Sequence, residues 1–299
     1  MIVVRLQGGL GNQMFQYAVG RALALARGVE LVFDLSALAE DPLRSYALGD
    51  FQLAARLARP GELARLRSPL AYRLMRLSSG NPAGRALLRA LGLPVLYEER
   101  ASTHAPEVAY LPGHSLLVGF FQSERYFESI AGQLRQDFSL PRPLTPASAL
   151  LAERINACES VSIHVRRTDY VDNPETCAMH GVLTPAHYTH CVELLSGRIA
   201  TPEFFVFSDD PDWAEEHIRP GFPTTWVRPR PGASDTEDLV LMSRCRHNIL
   251  ANSSFSWWAA WLNPNPEAQV LAPKRWYQDP ARSAEDLLPQ RWEQVPCGS

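Results

Sequence analysis

The chain has 299 residues, which suggests roughly two domains of ordinary size. An apolar content of 46% and a charged content of 20% describe a globular protein, and a formal net charge of -3 argues against non-specific nucleic-acid binding, which needs a basic excess. The cysteines (Cys158, Cys177, Cys191, Cys245, Cys297) are scattered with no CxxC pair, nothing resembles a signal peptide, and no run reaches about 18 apolar residues, so a cytoplasmic protein with reduced thiols and no membrane span is expected.

In chain order, residues 2–6 read as a short β-branched strand, residues 7–13 as a glycine-rich turn, and residues 14–27 as a helix. Strand, glycine turn and helix in succession place backbone N–H groups toward a ligand, and the amides of Asn12 and Gln13, beside Gly11, could hydrogen-bond a sugar. A second strand is expected over 31–35. Residues 52–93 are helical and basic, with eight arginines between Arg56 and Arg89 against the carboxylate Glu62. Such a run is a solvated face or a contact for anionic lipid head groups. A strand over 115–121 and a helix from Glu124 follow, and the prolines at 141, 143 and 146 mark a linker.

Beyond the linker, strand and helix alternate: a helix over 149–157, the strand starting at Val161, a helix from Pro185, a strand over 204–207, a short helix over 213–218 and a strand over 224–227. A helix over 238–246, a strand over 248–251, a polar turn over 252–256, a helix over 257–262, a strand over 268–272 and a helix near 284–288 complete the pattern. Such alternation favours a parallel, doubly wound sheet. In the strand at Val161, Val161, Ile163 and Val165 point to one side and Ser162, His164 and Arg166 to the other, so one face is expected to be buried and the other presented.

Arg166 and Arg167 arrive where that strand should end. Adjacent guanidiniums are always charged and need anionic partners, and in an open α/β sheet ligands sit beyond the carboxyl ends of strands. Asn252, Ser253 and Ser254 supply hydroxyls and N–H groups where a strand hands over to a helix, a phosphate-binding position, and Phe255 could stack on a base. Asp209 and Asp210 close another strand at the same expected edge. Two metal readings compete: Asp210 with Asp212 as a DxD pair, and His187, His190 and Cys191 on one helical face.

The segments GGLGNQMFQYAVGRALA, GFFQSERYF, HVRRTDYV, FFVFSDD and HNILANSSFSWWAAWLNP together resemble the bacterial α-1,2-fucosyltransferases over almost the whole chain. The segment holding HVRRTD, SDDP, Asp238 and SSFS is also similar to the donor domain of α-1,6-fucosyltransferases, and GGLGNQ to the GRFGNQ of protein O-fucosyltransferases. This resemblance implies an α/β fold of GT-B type, two Rossmann-like domains facing a central cleft, with residues 1–145 on the acceptor side and 146–299 binding GDP-fucose. It implies GDP-β-L-fucose as co-substrate, inversion, no metal, and a galactosyl acceptor glycan; the expectation of a cytoplasmic chain without a membrane span suggests a lipid-pyrophosphate-linked oligosaccharide, met at the membrane face, as that acceptor. It assigns Arg166 and Arg167 to the leaving β-phosphate, assisted by Ser253 and Ser254, with Asp169 pairing an arginine, His164 lining the nucleotide pocket, Asp238 on guanine or ribose and Asn12 on fucose. The base stays open between Asp172 and Glu175. Thr168 matches the α-1,6 enzymes, so another linkage is an alternative, as is a non-catalytic sugar-nucleotide-binding protein.

Overall fold

The structure, a computed structural model, describes residues 1–59, 61–280 and 282–297; the side chains of Arg65, Asp169, Asp172, Glu175 and Thr176 lie outside the described part. The chain divides into two compact units, Met1–Pro141 with Glu285–Leu287, and Arg142–Ala284 with Leu288–Ser299. Each is built on one parallel sheet.

The first sheet contains β1 (Ile2–Arg5), β2 (Leu31–Asp34), β3 (Arg56–Leu57), β4 (Val95–Glu98) and β5 (Ser115–Val118), in the order β3-β2-β1-β5-β4. The near-continuous apolar runs of β1, β2 and β5 suit strands covered on both faces. The second sheet contains β6 (Glu159–Val165), β7 (Pro202–Ser208), β8 (Thr224–Trp226), β9 (His247–Ile249), β10 (Val270–Pro273) and β11 (Glu293–Val295), in the order β11-β10-β9-β6-β7-β8. β6 and β7 pair in register from Glu159↔Pro202 to Val165↔Ser208. Val161, Ile163 and Val165 pack with Phe204, Val206, Ile249 and Leu271 in one core. The helix Ser254–Leu262, apolar nearly all round, buries Trp257, Trp258 and Trp261.

The structure corrects several expectations. β6 does not present a face, because Ser162 and His164 are buried as well. As a central strand it is covered on both sides, and Ser162 is tied into a buried polar network: Asn248 Nδ2 donates to Ser162 Oγ at 2.7 Å, and Asn263 Nδ2 donates to Asn248 Oδ1 at 2.7 Å. The first long helix spans Leu10–Arg27, so it starts inside the expected turn. Residues 284–288 form a turn instead of a helix. The short strands β3, β4 and β11, and the helices Thr168–Asp172 and Pro174–His180, carry too few residues to show a period in the sequence.

Candidate active site

Three connections leave adjacent strands of the second sheet at one edge: residues 166–168 after β6, 208–210 after β7 and 250–253 after β9. The strand order reverses at β6, with β7 and β8 laid to one side and β9 to β11 to the other. In open α/β sheets that reversal opens a crevice for ligands at the carboxyl ends.

The β7 connection braces the two arginines. Asp209 Oδ1 accepts the Arg167 N–H at 2.9 Å, while Oδ2 accepts the Thr168 N–H at 3.1 Å and its hydroxyl at 2.5 Å. Arg166 Nη1 lies 3.2 Å from the same Oδ2, and Arg167 Nε lies 3.6 Å from Asp210 Oδ2. Asp209 therefore orients the arginines; a carboxylate so engaged is poorly suited to meet an anion itself. Below, Arg167 Cζ sits 3.7 Å from the centroid of the Trp213 ring, and Arg166 Cζ 5.8 Å from that of Tyr170. The Tyr170 hydroxyl donates to the Asn252 carbonyl at 3.0 Å, which joins the β6 and β9 connections.

The β9 connection ends in a helix start. Ser253 is the N-cap, its Oγ accepting the Phe255 N–H at 3.3 Å, and Ser254 opens the helix half-buried. The remaining N–H groups of that first turn form a region of positive potential. Asn252 differs from its expected role: its Nδ2 donates to the His180 carbonyl at 2.8 Å and the Trp276 carbonyl at 3.2 Å, so the side chain holds the loop from beneath. Phe255 lies beside His164, ring centroids 5.4 Å apart. His164 is 4% exposed and its Nδ1 has no hydrogen-bond partner. Burial first, then the Arg166 guanidinium, pushes its pKa down to about 3, so the ring is neutral.

Asp238 lies in the first turns of the helix Asp235–Arg244, which returns from this edge to the start of β9. It pairs with Arg230, whose Nε donates to Ser148 Oγ at 2.9 Å. Burial raises the Asp238 pKa and Arg230 pulls it back. Thus His164, Arg166, Arg167, Asp209, Ser253, Ser254 and Phe255 converge on one edge, with Asp238 on the helix leading from it. Asp169, Asp172 and Glu175 fall on the two helices that follow the arginines, and their side chains lie outside the described residues. Trp213, Tyr170 and Arg230 were not anticipated; Trp213, in the first turn of the helix after SDDP, was the most legible of them.

The first unit carries the other group. Gly8 adopts φ +75°, a left-handed conformation that favours glycine, and a Cβ there would lie 2.5 Å from Asn12 Nδ2. Gly11, Asn12 and Gln13 occupy the first turn of the helix Leu10–Arg27. Asn12 Oδ1 accepts from Gln122 Nε2 at 2.8 Å, linking GGLGNQ to GFFQ. Gln13 departs from its expected sugar contact. It is fully buried, Nε2 donating to the carbonyls of Gly8 and Ser45 and Oε1 accepting the Ala47 N–H. Glu99 accepts the N–H groups of Phe120 and Phe121, the latter a bulky residue at φ +53°. Glu99 also borders a groove of about 1100 Å³ whose lining includes Arg85, Tyr97, Arg100, His104 and Tyr110.

Neither metal reading gains a site. Asp210 caps the helix Pro211–His217 and Asp212 pairs with Arg228. His187 Nδ1 lies 3.2 Å from the Pro296 carbonyl and its Nε2 3.6 Å from Cys191 Sγ, a hydrogen-bonded pair within the core. Among the described residues no three His, Cys, Asp or Glu side chains are grouped to hold an ion.

Comparison with known proteins identifies relatives of the chain. The family described as glycosyl transferase family 11 matches residues 102–295. The chain is 32% identical over 282 residues to an Escherichia coli alpha-1,2-colitosyltransferase, covering 93% of each chain. It is also 32% identical over 295 residues to the O-antigen biosynthesis glycosyltransferase WbnK of Escherichia coli, covering 91% of this chain and 93% of the other. Among solved structures, a mutant of Arabidopsis thaliana FUT1 in complex with GDP superposes with a TM-score of 0.50 at 14% identity, over 96% of this chain and 74% of that one. That likeness concerns the fold, and the two parallel α/β units agree with the GT-B class.

Proposed function

The chain belongs to glycosyl transferase family 11, and from that membership we propose that it moves L-fucose from GDP-β-L-fucose to the 2-hydroxyl of a galactosyl acceptor, with inversion and without metal. The observation that carries the donor half is the pair Arg166 and Arg167, braced by Asp209 and Asp210 at the edge where the helix Ser254–Leu262 begins. As the bond from fucose C1 to the β-phosphate oxygen lengthens, positive charge grows on the sugar and negative charge on GDP. Two guanidiniums and a helix N-terminus supply fixed positive charge for the leaving group. His164 and Phe255 line the nucleotide side, and Asp238 with Arg230 serves the ribose or base. The acceptor oxygen attacks C1 from the opposite face and its proton passes to a base, for which Asp172 and Glu175 are the candidates. Asn12, held by Gln122, contacts fucose.

The decisive experiment incubates the protein with GDP-fucose and galactose-terminated oligosaccharides in EDTA and determines the product linkage. An α-1,2-fucosylated product is expected. GDP binding without product would instead support a non-catalytic binder. The colitosyltransferase relative favours a second reading, in which colitose is the sugar transferred; a parallel reaction with nucleotide-activated colitose separates the two by relative kcat/KM.

The first unit is proposed as the acceptor side, meeting lipid-pyrophosphate-linked oligosaccharides at the cytoplasmic membrane face. Among the described residues no helix is long and apolar enough to span a membrane. Support for surface contact comes from the helices Pro69–Ser78 and Pro82–Ala90: Leu70 and Leu77 are 78% and 71% exposed, Leu87 and Leu91 are exposed, and Arg73 and Arg89 are exposed with them. Apolar and basic side chains on one surface suit an interface with anionic lipid. Binding to vesicles containing phosphatidylglycerol should fall at least fivefold in Leu70→Gln/Leu77→Gln/Arg73→Glu, with GDP affinity unchanged; equal binding would remove the membrane contact.

A further inference from the structure

Beneath Arg167 lies an aromatic stack that none of the motifs above includes. The helix Pro211–His217 is capped by Asp210, which accepts the Trp213 N–H at 3.2 Å, so the β7 connection that supplies Asp209 and Asp210 also fixes the first turn carrying Trp213. The Trp213 ring lies with its centroid 3.7 Å from Arg167 Cζ. On this helix His217 stacks on the same indole, centroids 4.4 Å apart and planes 9° from parallel, and its Nδ1 is 2.9 Å from the Trp213 carbonyl. Arg167 thus rests on an aromatic pair, and its Nε is buried without a hydrogen-bond partner, the nearest carboxylate oxygen, on Asp210, being 3.6 Å away.

Guanidinium donors lie in the plane of the group, whereas an aromatic ring holds the cation by its face. A carboxylate in the same place would occupy the donors that an incoming phosphate needs. The ring fixes the plane and leaves the edge unspent. We propose that Trp213, backed by His217, is a positioning residue that orients Arg167 for bidentate contact with the leaving pyrophosphate. The proposal rests on the reading that Arg167 meets that pyrophosphate.

A double-mutant cycle tests it, with two readouts taken on the full chain: GDP affinity by calorimetry and kcat with GDP-fucose at saturating acceptor. Trp213→Leu removes the ring while keeping an apolar side chain, Trp213→Phe keeps a ring, and both are also made on an Arg167→Ala background. With Arg167 present, Trp213→Leu should weaken GDP binding and lower kcat about fivefold or more, and Trp213→Phe should restore both to within about twofold. On the Arg167→Ala background Trp213→Leu should change neither by more than about twofold. Equal losses on both backgrounds, or a phenylalanine variant no better than leucine, would overturn the proposal, since a purely structural tryptophan behaves so. A wild-type protein that binds GDP and transfers no sugar would instead sink the fucosyltransferase reading, and the GDP-affinity cycle would still decide the stack.

Discussion

At the scale of single residues, the arginine pair makes the sharpest claim. Each guanidinium lies within 3.6 Å of a carboxylate and over the face of a ring, an arrangement that fixes its position while the ring engages none of its N–H donors. Arg166→Ala and Arg167→Ala should each lower turnover at least tenfold, on the order of the 10² seen when one well-placed donor is lost, with thermal midpoints near wild type. Arg167→Lys should recover little, because an ammonium neither stacks on Trp213 nor binds two phosphate oxygens side by side. Near-normal turnover in both alanine variants would remove them from the leaving-group role. These arginines were legible because unpaired charge at a strand end is costly unless something answers it. Gln13 and Asn252 were misread for the converse reason: a carboxamide in a glycine-rich or polar turn looks equally suited to a sugar and to the protein's own backbone, and only the carbonyls of Gly8, Ser45, His180 and Trp276 decide.

At the scale of elements, the glycine turn and the helix behind it act as one device. Gln13 ties the turn to residues 45–47, and Asn12 ties the helix to Gln122. Gln13→Ala would leave two carbonyls and one N–H in a buried position without their partner, and should cost about 2–4 kcal/mol in denaturant unfolding. Gly8→Ala should act differently, forcing a Cβ against Asn12 from a left-handed backbone, so activity should fall severalfold even where the unfolding midpoint moves little. If Gly8→Ala keeps full activity, the position of Asn12 is not critical. Long elements with a clear period, such as Leu10–Arg27 and β6, were visible in the sequence to within a few residues. The helices Thr168–Asp172 and Pro174–His180 were not, since each spans less than about two turns and their order comes from tertiary contacts such as Tyr170 with His180.

At the scale of the whole molecule, the parallel sheet of the second unit followed from alternating strand and helix patterns, while the edge strands β3, β4 and β11, of two to four residues each, depend on the neighbour they pair with. Burial of both faces of the second sheet has a consequence for acid stability. His164 sits neutral in that sheet, its pKa lowered mainly by burial and then by Arg166 to about 3, and burial also lowers His104, His114, His187 and His247. A histidine depressed in the folded state binds its proton more readily when unfolded, so stability is present above the unfolded pKa of about 6.5 and declines as pH falls toward the folded value. For His164 alone the loss between pH 7 and pH 5 is about 2 kcal/mol, and that figure hardly depends on the folded pKa once it lies below about 4. Urea unfolding should therefore show lower stability at pH 5 than at pH 7, and His164→Gln, which cannot take up the proton, should shrink the difference by roughly that amount. An undiminished pH dependence in His164→Gln would mean that this histidine is charged in the folded protein, and the neutral ring assigned to the nucleotide side of the site would have to be abandoned.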